Sequence, residues 1–292
     1  MVEPHLLDGK AAAKAVRVEL ARRVSVLRAR GVWPGLRILQ VGSDPASTIY
    51  VGSKVTASAK VGIDARVERL PDNVGFADIA RVVAGWNTDS SVHGLIVQLP
   101  LPSGIDAHAV LSLVDQQKDV DGLSPANLGA LASGRPLFTP ATPTGIIELL
   151  VRNGITIPGK RFVIVGRGEL VGRPLASMLL LRGERGDATV TVCHSRTPDL
   201  GVVCRAAQIL VVATGRAGLV TGEMVTEGVV VVDAGTNTVD CRLVGDVDFQ
   251  SVAPKVSAIT PVPGGVGPMT VVMLLANTVR AAELASGVQQ DD

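Results

Sequence analysis

The sequence has few aromatic residues, no dominant charge and no long apolar run, and each absence excludes a class of protein. Aromatic residues make up 2% of the 292-residue chain, which leaves few stacking surfaces. The 28 basic and 27 acidic residues nearly cancel, so nothing favours nucleic acid or a membrane surface as partner. No run of about eighteen apolar residues predicts a membrane span, and the first residues lack the pattern of a secretory signal. We therefore expect a soluble, cytoplasmic protein that acts on a small molecule.

Metal-ligand patterns are also missing. The three cysteines are odd in number and widely separated, at Cys193, Cys204 and Cys241. We expect reduced, mostly buried thiols and assign them no chemistry. Asp115, Asp119 and Asp121 lie close together, but they match no calcium loop because no glutamate closes the set. The sequence therefore predicts no metal site.

What the chain does have is an alternation of apolar runs and amphipathic stretches over a length that suits two domains. Strands are predicted at residues 36–41, 63–70, 94–99, 162–165, 189–193, 209–213 and 229–233. Helices are predicted at 9–30, from an N-cap at Ser47 to about 60, and at 76–86, 107–114 and 146–152, with a last helix to about 285 after a Gly/Pro-rich loop at 259–270. Strands that alternate with helices form parallel sheets covered on both faces.

One stretch, from Lys160 to Pro174, has the features of a nucleotide-binding loop. A short apolar run ends at Gly166, Gly168 and Gly172 follow, and the proline fits only in the first turn of a helix. Glycine allows close approach of backbone to a ligand, and a helix start offers N–H groups to an anion. The third glycine comes one residue later than in the common dinucleotide fingerprint, so a plain strand-turn-helix crossover is the alternative.

The residues near this loop favour NADP over NAD. About twenty residues past the glycines, an NAD-binding unit carries an acidic residue for the ribose hydroxyl. Here the chain has His194, Ser195 and Arg196, while Arg167 and Arg173 lie in the loop itself. Guanidinium groups bind phosphate through two hydrogen bonds, which suits a 2′-phosphate. The alternative is that these arginines only face solvent.

Polar side chains in the first half of the chain could form a reaction site. Tyr50 and Lys54 are four residues apart on one helix face, and Gln98 ends a buried strand, where open parallel sheets bind ligands. The alternatives are a surface lysine beside a partly buried tyrosine and a structural glutamine. The same Tyr/Lys spacing occurs in short-chain dehydrogenases, but there it lies downstream of the glycine loop, so that assignment fails.

Several motifs occur in order from about Leu7 to Val279. They are Tyr50-Val-Gly-Ser-Lys54, Gly94-Leu-Ile-Val-Gln98-Leu-Pro-Leu-Pro102, Lys118-Asp-Val-Asp121-Gly, Thr139-Pro-Ala-Thr-Pro143, Val165-Gly-Arg167, Val171-Gly-Arg-Pro174 and Pro261-Val-Pro-Gly-Gly-Val-Gly-Pro-Met-Thr270. Together they resemble the bifunctional methylenetetrahydrofolate dehydrogenase/methenyltetrahydrofolate cyclohydrolase family.

The resemblance implies an α/β fold of two α/β domains with a cleft between them, the second a Rossmann-type parallel sheet. Residues 1–140 would form the folate-binding catalytic domain, against which the C-terminal helix, at about 270–286, packs back. Residues 141–269 would form the NADP-binding domain. The family is usually homodimeric and serves one-carbon metabolism.

By the same resemblance, Lys54 is the catalytic lysine, Tyr50 and Gln98 position it and the folate, and Asp121 holds the pterin ring. The other implied substrate-binding residues are Pro263, Gly264 and Gly265. The implied cofactor-binding residues are Gly166, Arg167, Gly168, Val171, Gly172, Ser195, Arg196, Thr214, Gly215 and Thr236. Two departures are Ala141, where the family commonly has cysteine, and Gly168, where it usually has serine.

The function that follows is NADP-dependent oxidation of 5,10-methylenetetrahydrofolate to 5,10-methenyltetrahydrofolate, then hydrolysis to 10-formyltetrahydrofolate. Hydride transfer mainly needs positioning, whereas hydrolysis needs a base, and a lysine serves as base only when neutral. The alternatives are an enzyme with dehydrogenase activity only and a non-catalytic NADP-binding regulatory protein.

Overall fold

The computed structural model describes residues 4–240 and 242–288, and the chain divides into two compact units. The lysine unit, named for Lys54, comprises Ala15–Ala141 and the chain from Val271 onward. The glycine-loop unit comprises Thr142–Thr270 and the residues up to Lys14.

Strands and helices alternate along the chain. The strands are β1 His5–Leu6, β2 Gly35–Val41, β3 Asp64–Leu70, β4 Gly94–Val97, β5 Arg161–Val165, β6 Thr189–Cys193, β7 Ile209–Val212, β8 Val230–Asp233, β9 Asn237–Val239, β10 Arg242–Val244 and β11 Ala258–Ile259. The helices are α1 Gly9–Ala29, α2 Pro45–Val61, α3 Phe76–Thr88, α4 Ala107–Leu111, α5 Pro125–Ala132, α6 Ala141–Arg152, α7 Gly172–Leu179, α8 Leu200–Arg205, α9 Phe249–Val252 and α10 Val266–Ser286. Short 3₁₀ helices lie at Gly222–Met224 and Ala253–Lys255.

Each unit contains a parallel sheet. In the lysine unit the strand order is β3-β2-β4, and β2 pairs in parallel with both neighbours. In the glycine-loop unit the order is β1-β11-β8-β7-β5-β6, again with parallel pairing throughout. Strands β9 and β10 form a separate antiparallel hairpin. The predicted α/β class with a Rossmann-type parallel sheet is confirmed.

Burial explains why the sheet strands were readable from the sequence. All residues of β2, β4 and β7 are buried, as is β5 after its first residue. A parallel sheet covered on both faces needs such continuous apolar runs. Cys193 and Cys204 are buried free thiols in the core of the glycine-loop unit, whereas Cys241 lies outside the described residues. Among the described helices, none has the length and apolar character needed to cross a membrane.

The start of the chain differs from the predicted domain boundary. Residues up to Lys14 group with the glycine-loop unit, although the sequence assigned 1–140 to the first domain. The cause is strand β1, whose His5 and Leu6 pair in parallel with β11. Two residues are too short a run to stand out as a strand, and their partner lies more than two hundred residues later in the chain.

Two local predictions were wrong, and one helix was not predicted. The N-cap of α2 is Asp44, not Ser47: the Asp44 carboxylate accepts a hydrogen bond from the Ser47 N–H at 2.7 Å. Helix α10 begins at Val266, so the Gly/Pro-rich loop is shorter than predicted. Helix α5 has Ser124 as N-cap and proline in its first turn. It was missed because the helix is only eight residues long, too short to show a clear helical pattern in the sequence.

Candidate functional site

The lysine unit has a topological switch point at the carboxyl end of its sheet. From β2 the chain moves to β3 on one side and then returns to β4 on the other, and such reversals leave a crevice for ligands. Gln98 directly follows β4, and its N–H donates to the Leu39 carbonyl of β2 at 2.8 Å. The peptide bond between Leu99 and Pro100, just beyond, is cis.

Helix α2 brings Lys54 to Gln98. The Lys54 ammonium donates to Gln98 Oε1 at 3.0 Å, and the residue is only 9% exposed. Gln98 Nε2 donates to the Leu99 carbonyl at 2.7 Å, which directs the amide oxygen toward the lysine. The structure thus places together two residues that the sequence had linked only as a hypothesis.

Burial and a nearby carboxylate set the protonation of this group. Burial lowers the pKa of Lys54, while Asp121 raises it and so opposes part of the change. The pKa of Asp121 is raised by burial and by Asp119, with Lys54 acting in the opposite direction. Both groups are therefore closer to their neutral forms than the same side chains in water.

Asp119 organises the loop that carries Asp121. Its buried carboxylate accepts the backbone N–H groups of residues 122, 123 and 124 at 3.1, 3.2 and 2.8 Å, and Asn127 Nδ2 at 2.8 Å. From the sequence, Asp119 was considered only as a metal ligand. Its oxygens instead fix the backbone beside Asp121.

A second clamp on this loop comes from α10. Asn277 Nδ2 donates to the carbonyls of Val120 and Thr139 at 2.8 and 3.0 Å. Between them, Gly122 has φ +70°, and a Cβ there would lie 2.7 Å from the Thr139 backbone. The only signal in the sequence was the glycine after Asp121, since the carbonyl acceptors of Asn277 leave no trace in residue type.

The remaining predicted folate residues are distributed over both units. Tyr50 lies on α2 one turn before Lys54 and is 44% exposed. Pro263, Gly264 and Gly265 belong to the glycine-loop unit, between β11 and α10, where Gly264 has φ +120°. Their part in folate binding stays a prediction.

The predicted cofactor residues all follow the carboxyl ends of strands in the six-stranded sheet. The chain reverses between β5 and β7, which makes their carboxyl ends the switch point. The Gly166 N–H donates to the Cys193 carbonyl at 2.9 Å, and the Ala213 N–H donates to the Val165 carbonyl at 2.8 Å, so the loops leave the sheet side by side. These loops, the loop after β8 and the first residue of α7 contain Gly166, Arg167, Gly168, Val171, Gly172, Ser195, Arg196, Thr214, Gly215 and Thr236.

The glycines between β5 and the first turn of α7 have different physical roles. A Cβ at Gly166, whose φ is +119°, would lie 2.0 Å from the Ala213 carbonyl oxygen, and one at Gly172 would lie 2.1 Å from that of Gly166. Both are required by packing. At Gly168 a Cβ would meet no heavy atom of the described chain within 4 Å, so this backbone has an open face. Glycine loop and open face together fit a dinucleotide pyrophosphate.

Exposed basic residues surround this loop. Arg167, Arg173 and Arg196 are exposed, and Arg173 pairs with Glu169 at 3.1 Å. Arg196 follows β6, the neighbour of β5, and its backbone N–H donates to His194 Nδ1 at 3.2 Å. Arg196 therefore lies just after the end of the strand at which a cofactor ribose is expected.

Two models of one protein family together match most of the chain. A family model described as the tetrahydrofolate dehydrogenase/cyclohydrolase catalytic domain matches residues 7–121, and one described as the NAD(P)-binding domain of the same family matches residues 140–286. The chain is 50% identical to the bifunctional protein FolD of Desulfovibrio desulfuricans over 277 residues, covering 94% of this chain and 97% of that protein.

Solved structures show the same likeness. The bifunctional enzyme FolD of Campylobacter jejuni superimposes with a TM-score of 0.92 at 44% identity and covers 96% of this chain and 98% of that one. The FolD of Trypanosoma brucei, solved with NADP cofactor and an inhibitor, gives a TM-score of 0.92 at 41% identity and covers 98% and 99%.

Proposed function

Because the chain belongs to the tetrahydrofolate dehydrogenase/cyclohydrolase family, we propose that it is a bifunctional enzyme of folate one-carbon metabolism. It oxidises 5,10-methylenetetrahydrofolate to 5,10-methenyltetrahydrofolate and hydrolyses that product to 10-formyltetrahydrofolate. The observation that carries the proposal is the buried Lys54, which donates to Gln98 and is electrostatically coupled to Asp121. A protein that only bound a nucleotide would have no use for such a lysine.

Lys54 acts in the hydrolytic step. Burial lowers its pKa and so increases the fraction of neutral amine. A neutral amine has two N–H donors and one lone pair; one N–H donates to Gln98, and the lone pair accepts a proton from the attacking water. The positive charge of a methenyl group nearby would lower the pKa of Lys54 further. The fraction of neutral lysine is therefore highest when the substrate is bound.

Gln98 and Asp121 position the reacting groups. The Gln98 amide is itself held by the Leu99 carbonyl, so its oxygen restricts where the lysine nitrogen can lie. A carboxylate at Asp121 accepts two parallel hydrogen bonds from an amine and a ring N–H of the pterin. Asp119 and Asn277 stabilise the loop in which Asp121 stands.

The glycine-loop unit would hold the dinucleotide, and we propose NADP. When bound, NADP accepts the hydride from the methylene carbon. The pyrophosphate would lie over the open face of Gly168, in the loop before α7, whose N-cap residue Val171 has no side-chain cap hydrogen bond. Arg196, with Ser195, would bind the 2′-phosphate, and Thr214, Gly215 and Thr236 would contact the rest of the cofactor.

Two assays on the purified protein test the proposal. The first follows NADP reduction with methylenetetrahydrofolate, repeated with NAD; the second follows the loss of methenyltetrahydrofolate without any nucleotide. We expect activity in both, with NADP preferred. Reduction without hydrolysis would leave a dehydrogenase alone, and tight NADP binding without either reaction would indicate a regulatory protein; either result would overturn the bifunctional assignment.

We also propose that the enzyme is a cytoplasmic homodimer. The family resemblance supports the dimer. Light scattering of the purified protein should give twice the mass of one chain, and a single-chain mass at micromolar concentration would contradict the dimer.

A further inference from the structure

Two buried aspartates lie behind the turn that follows β7 in the glycine-loop unit. Asp246 is fully buried and Asp233 is 4% exposed. Neither was identified from the sequence. Buried carboxylates need hydrogen-bond donors, and where those donors come from shows what each group holds in place.

Asp246 binds the Thr214–Gly215 turn directly. Its Oδ2 accepts the backbone N–H groups of Thr214 and Gly215, the latter at 2.9 Å, and the Thr214 hydroxyl at 3.0 Å. Its Oδ1 accepts Asn237 Nδ2 at 2.8 Å. One side chain thus joins the turn after β7 to the segment after β8.

Asp233 in turn fixes Asp246. Placed at the end of β8, its carboxylate accepts the backbone N–H groups of Asp246 and Val247 at 3.0 and 2.9 Å. The contact is so close that a Cβ at Gly245 would lie 1.8 Å from Asp233 Oδ2, and one at Gly235 would lie 2.3 Å from Asp246 Cγ. The backbone around Asp246 therefore has little freedom to move its carboxylate.

This arrangement determines which side of the turn is available to a ligand. The N–H groups of Thr214 and Gly215 are used by Asp246, and the Arg216 N–H donates to the Thr214 hydroxyl at 3.2 Å. Gly215 is exposed with φ +68°, and a Cβ there would meet no heavy atom of the described chain within 4 Å. The turn offers a ligand its open backbone face and carbonyl oxygens rather than those two N–H groups.

We propose that Asp246 is a positioning residue for the dinucleotide, which holds the Thr214–Gly215 turn in the shape that binds the cofactor. The inference rests on the proposed function, since it takes the turn to be part of the NADP site. Asp246 acts through the turn and itself contacts no cofactor, because its oxygens are already engaged by four donors.

The first test compares Asp246→Asn with wild type. The asparagine keeps one acceptor oxygen for the turn, but the negative charge that accepts the two backbone N–H groups is lost, and the Asn237 amide must turn over to accept from the new NH₂. We expect the Kd for NADP, measured by fluorescence titration, to rise about tenfold, while methenyl hydrolysis without nucleotide stays within about twofold. Asp248→Asn is the matched control: this neighbouring aspartate precedes α9 and makes no side-chain cap, so NADP affinity should not change.

The second test exchanges the pair. In the double variant Asp246→Asn, Asn237→Asp, an amide oxygen again faces the turn and a carboxylate again faces an NH₂, with the two side chains reversed. We expect NADP affinity to recover to within about threefold of wild type, whereas independent effects of the two changes would add. Melting temperatures of all variants are measured alongside, and the double variant also supplies a folded protein should Asp246→Asn fail to fold.

The outcomes separate this inference from the proposed function. Wild type that binds no NADP would overturn the proposed function. Wild type that binds NADP, together with an Asp246→Asn protein that binds it equally well, would overturn only the role of Asp246. A parallel loss of NADP affinity and hydrolysis would do the same, since it would reduce Asp246 to a general structural residue. A folded double variant without NADP binding also counts against the proposal.

Discussion

The switch points of the two units both contain buried ionisable groups, but these groups differ in how fully their hydrogen bonds are satisfied. In the lysine unit, Lys54 donates to a single amide oxygen, and its pKa is lowered by burial. In the glycine-loop unit, the two oxygens of Asp246 accept four donors from backbone and side chains. The lysine retains the capacity to exchange a proton, whereas the aspartate has no acceptor site to spare.

The difference indicates how to tell a reacting group from a positioning group when both are buried. A group whose charged form is poorly satisfied is available for proton transfer near neutral pH. A carboxylate saturated by N–H donors stabilises the backbone that supplies them. Asp119 follows the second pattern within the lysine unit, beside Asp121, which follows the first.

The largest effect expected is from Lys54→Met. Without the base, methenyl hydrolysis should fall by about 10²- to 10⁴-fold, while NADP binding, which depends on the other unit, should be retained. Lys60→Met, in the last turn of the same helix and exposed, is the control and should hydrolyse normally. Unchanged hydrolysis in the Lys54 variant would show that Lys54 is not the base. The contrast between a proton-transferring Lys54 and a positioning Asp246 would then no longer hold.

Arg196→Ala tests whether the glycine-loop unit binds its ligand by charge. The loss of a guanidinium–phosphate contact is worth about 1.5–3 kcal/mol, so the Kd for NADP should rise by about ten- to a hundredfold while that for NAD stays nearly constant. Calorimetric titration with both nucleotides measures this, with the exposed Arg182→Ala as control. Equal losses for the two nucleotides would argue against a 2′-phosphate contact.

Gln98→Glu should move the pH profile of hydrolysis. A carboxylate 3.0 Å from the Lys54 nitrogen stabilises the ammonium, raises the pKa of Lys54 and leaves less neutral base at a given pH. The rising limb of kcat against pH should therefore shift to higher pH by about one unit or more. Gln98→Leu, which removes the acceptor, should shift it the other way; a limb at the same pH in both would mean that another group is titrating.

The smallest effect expected is on the pH dependence of stability, which Asp233→Asn should reduce. Burial raises the pKa of Asp233 to about 6, above its value in the unfolded chain, so the folded state binds this proton more tightly. The contribution of Asp233 to the free energy of unfolding should therefore fall by about 1 kcal/mol as pH rises from 5 to 7.5. Urea unfolding at both pH values should show this decrease in wild type relative to the variant; parallel curves would show that Asp233 stays ionised.

The sequence predicted much of this architecture because several of its strands are continuous apolar runs buried on both faces. Continuous apolar runs identified β2, β4, β5 and β7. The glycines at 166 and 172 were predicted to let the backbone approach a ligand, whereas in the structure both are required by packing against backbone of the chain itself. The spacing of Tyr50 and Lys54 placed both on one helix. Gln98 could be linked to Lys54 only through the rule that parallel sheets bind ligands at their carboxyl ends.

What the sequence could not predict are contacts whose partners are backbone groups far along the chain. Asn277 binds the carbonyl of Val120, 157 residues away, and a carbonyl has no residue type to recognise. Asp246 resembled any acidic residue in a loop because three of its four donors belong to a turn 31 and 32 residues earlier, and two of those three are backbone N–H groups. Short β1 was missed for the related reason that its strand character depends on β11.

The lowered pKa of Lys54 also affects how the protein would respond to electrophiles. Neutral amines, not ammonium ions, react with activated esters and aldehydes, so Lys54 is distinguished from the exposed lysines by reactivity as well as by location. Its limited exposure restricts the reagents that can reach it. A small compound that carries donors for Asp121 and a mild electrophile would have two independent reasons to select this lysine, which makes the site suited to covalent inhibition.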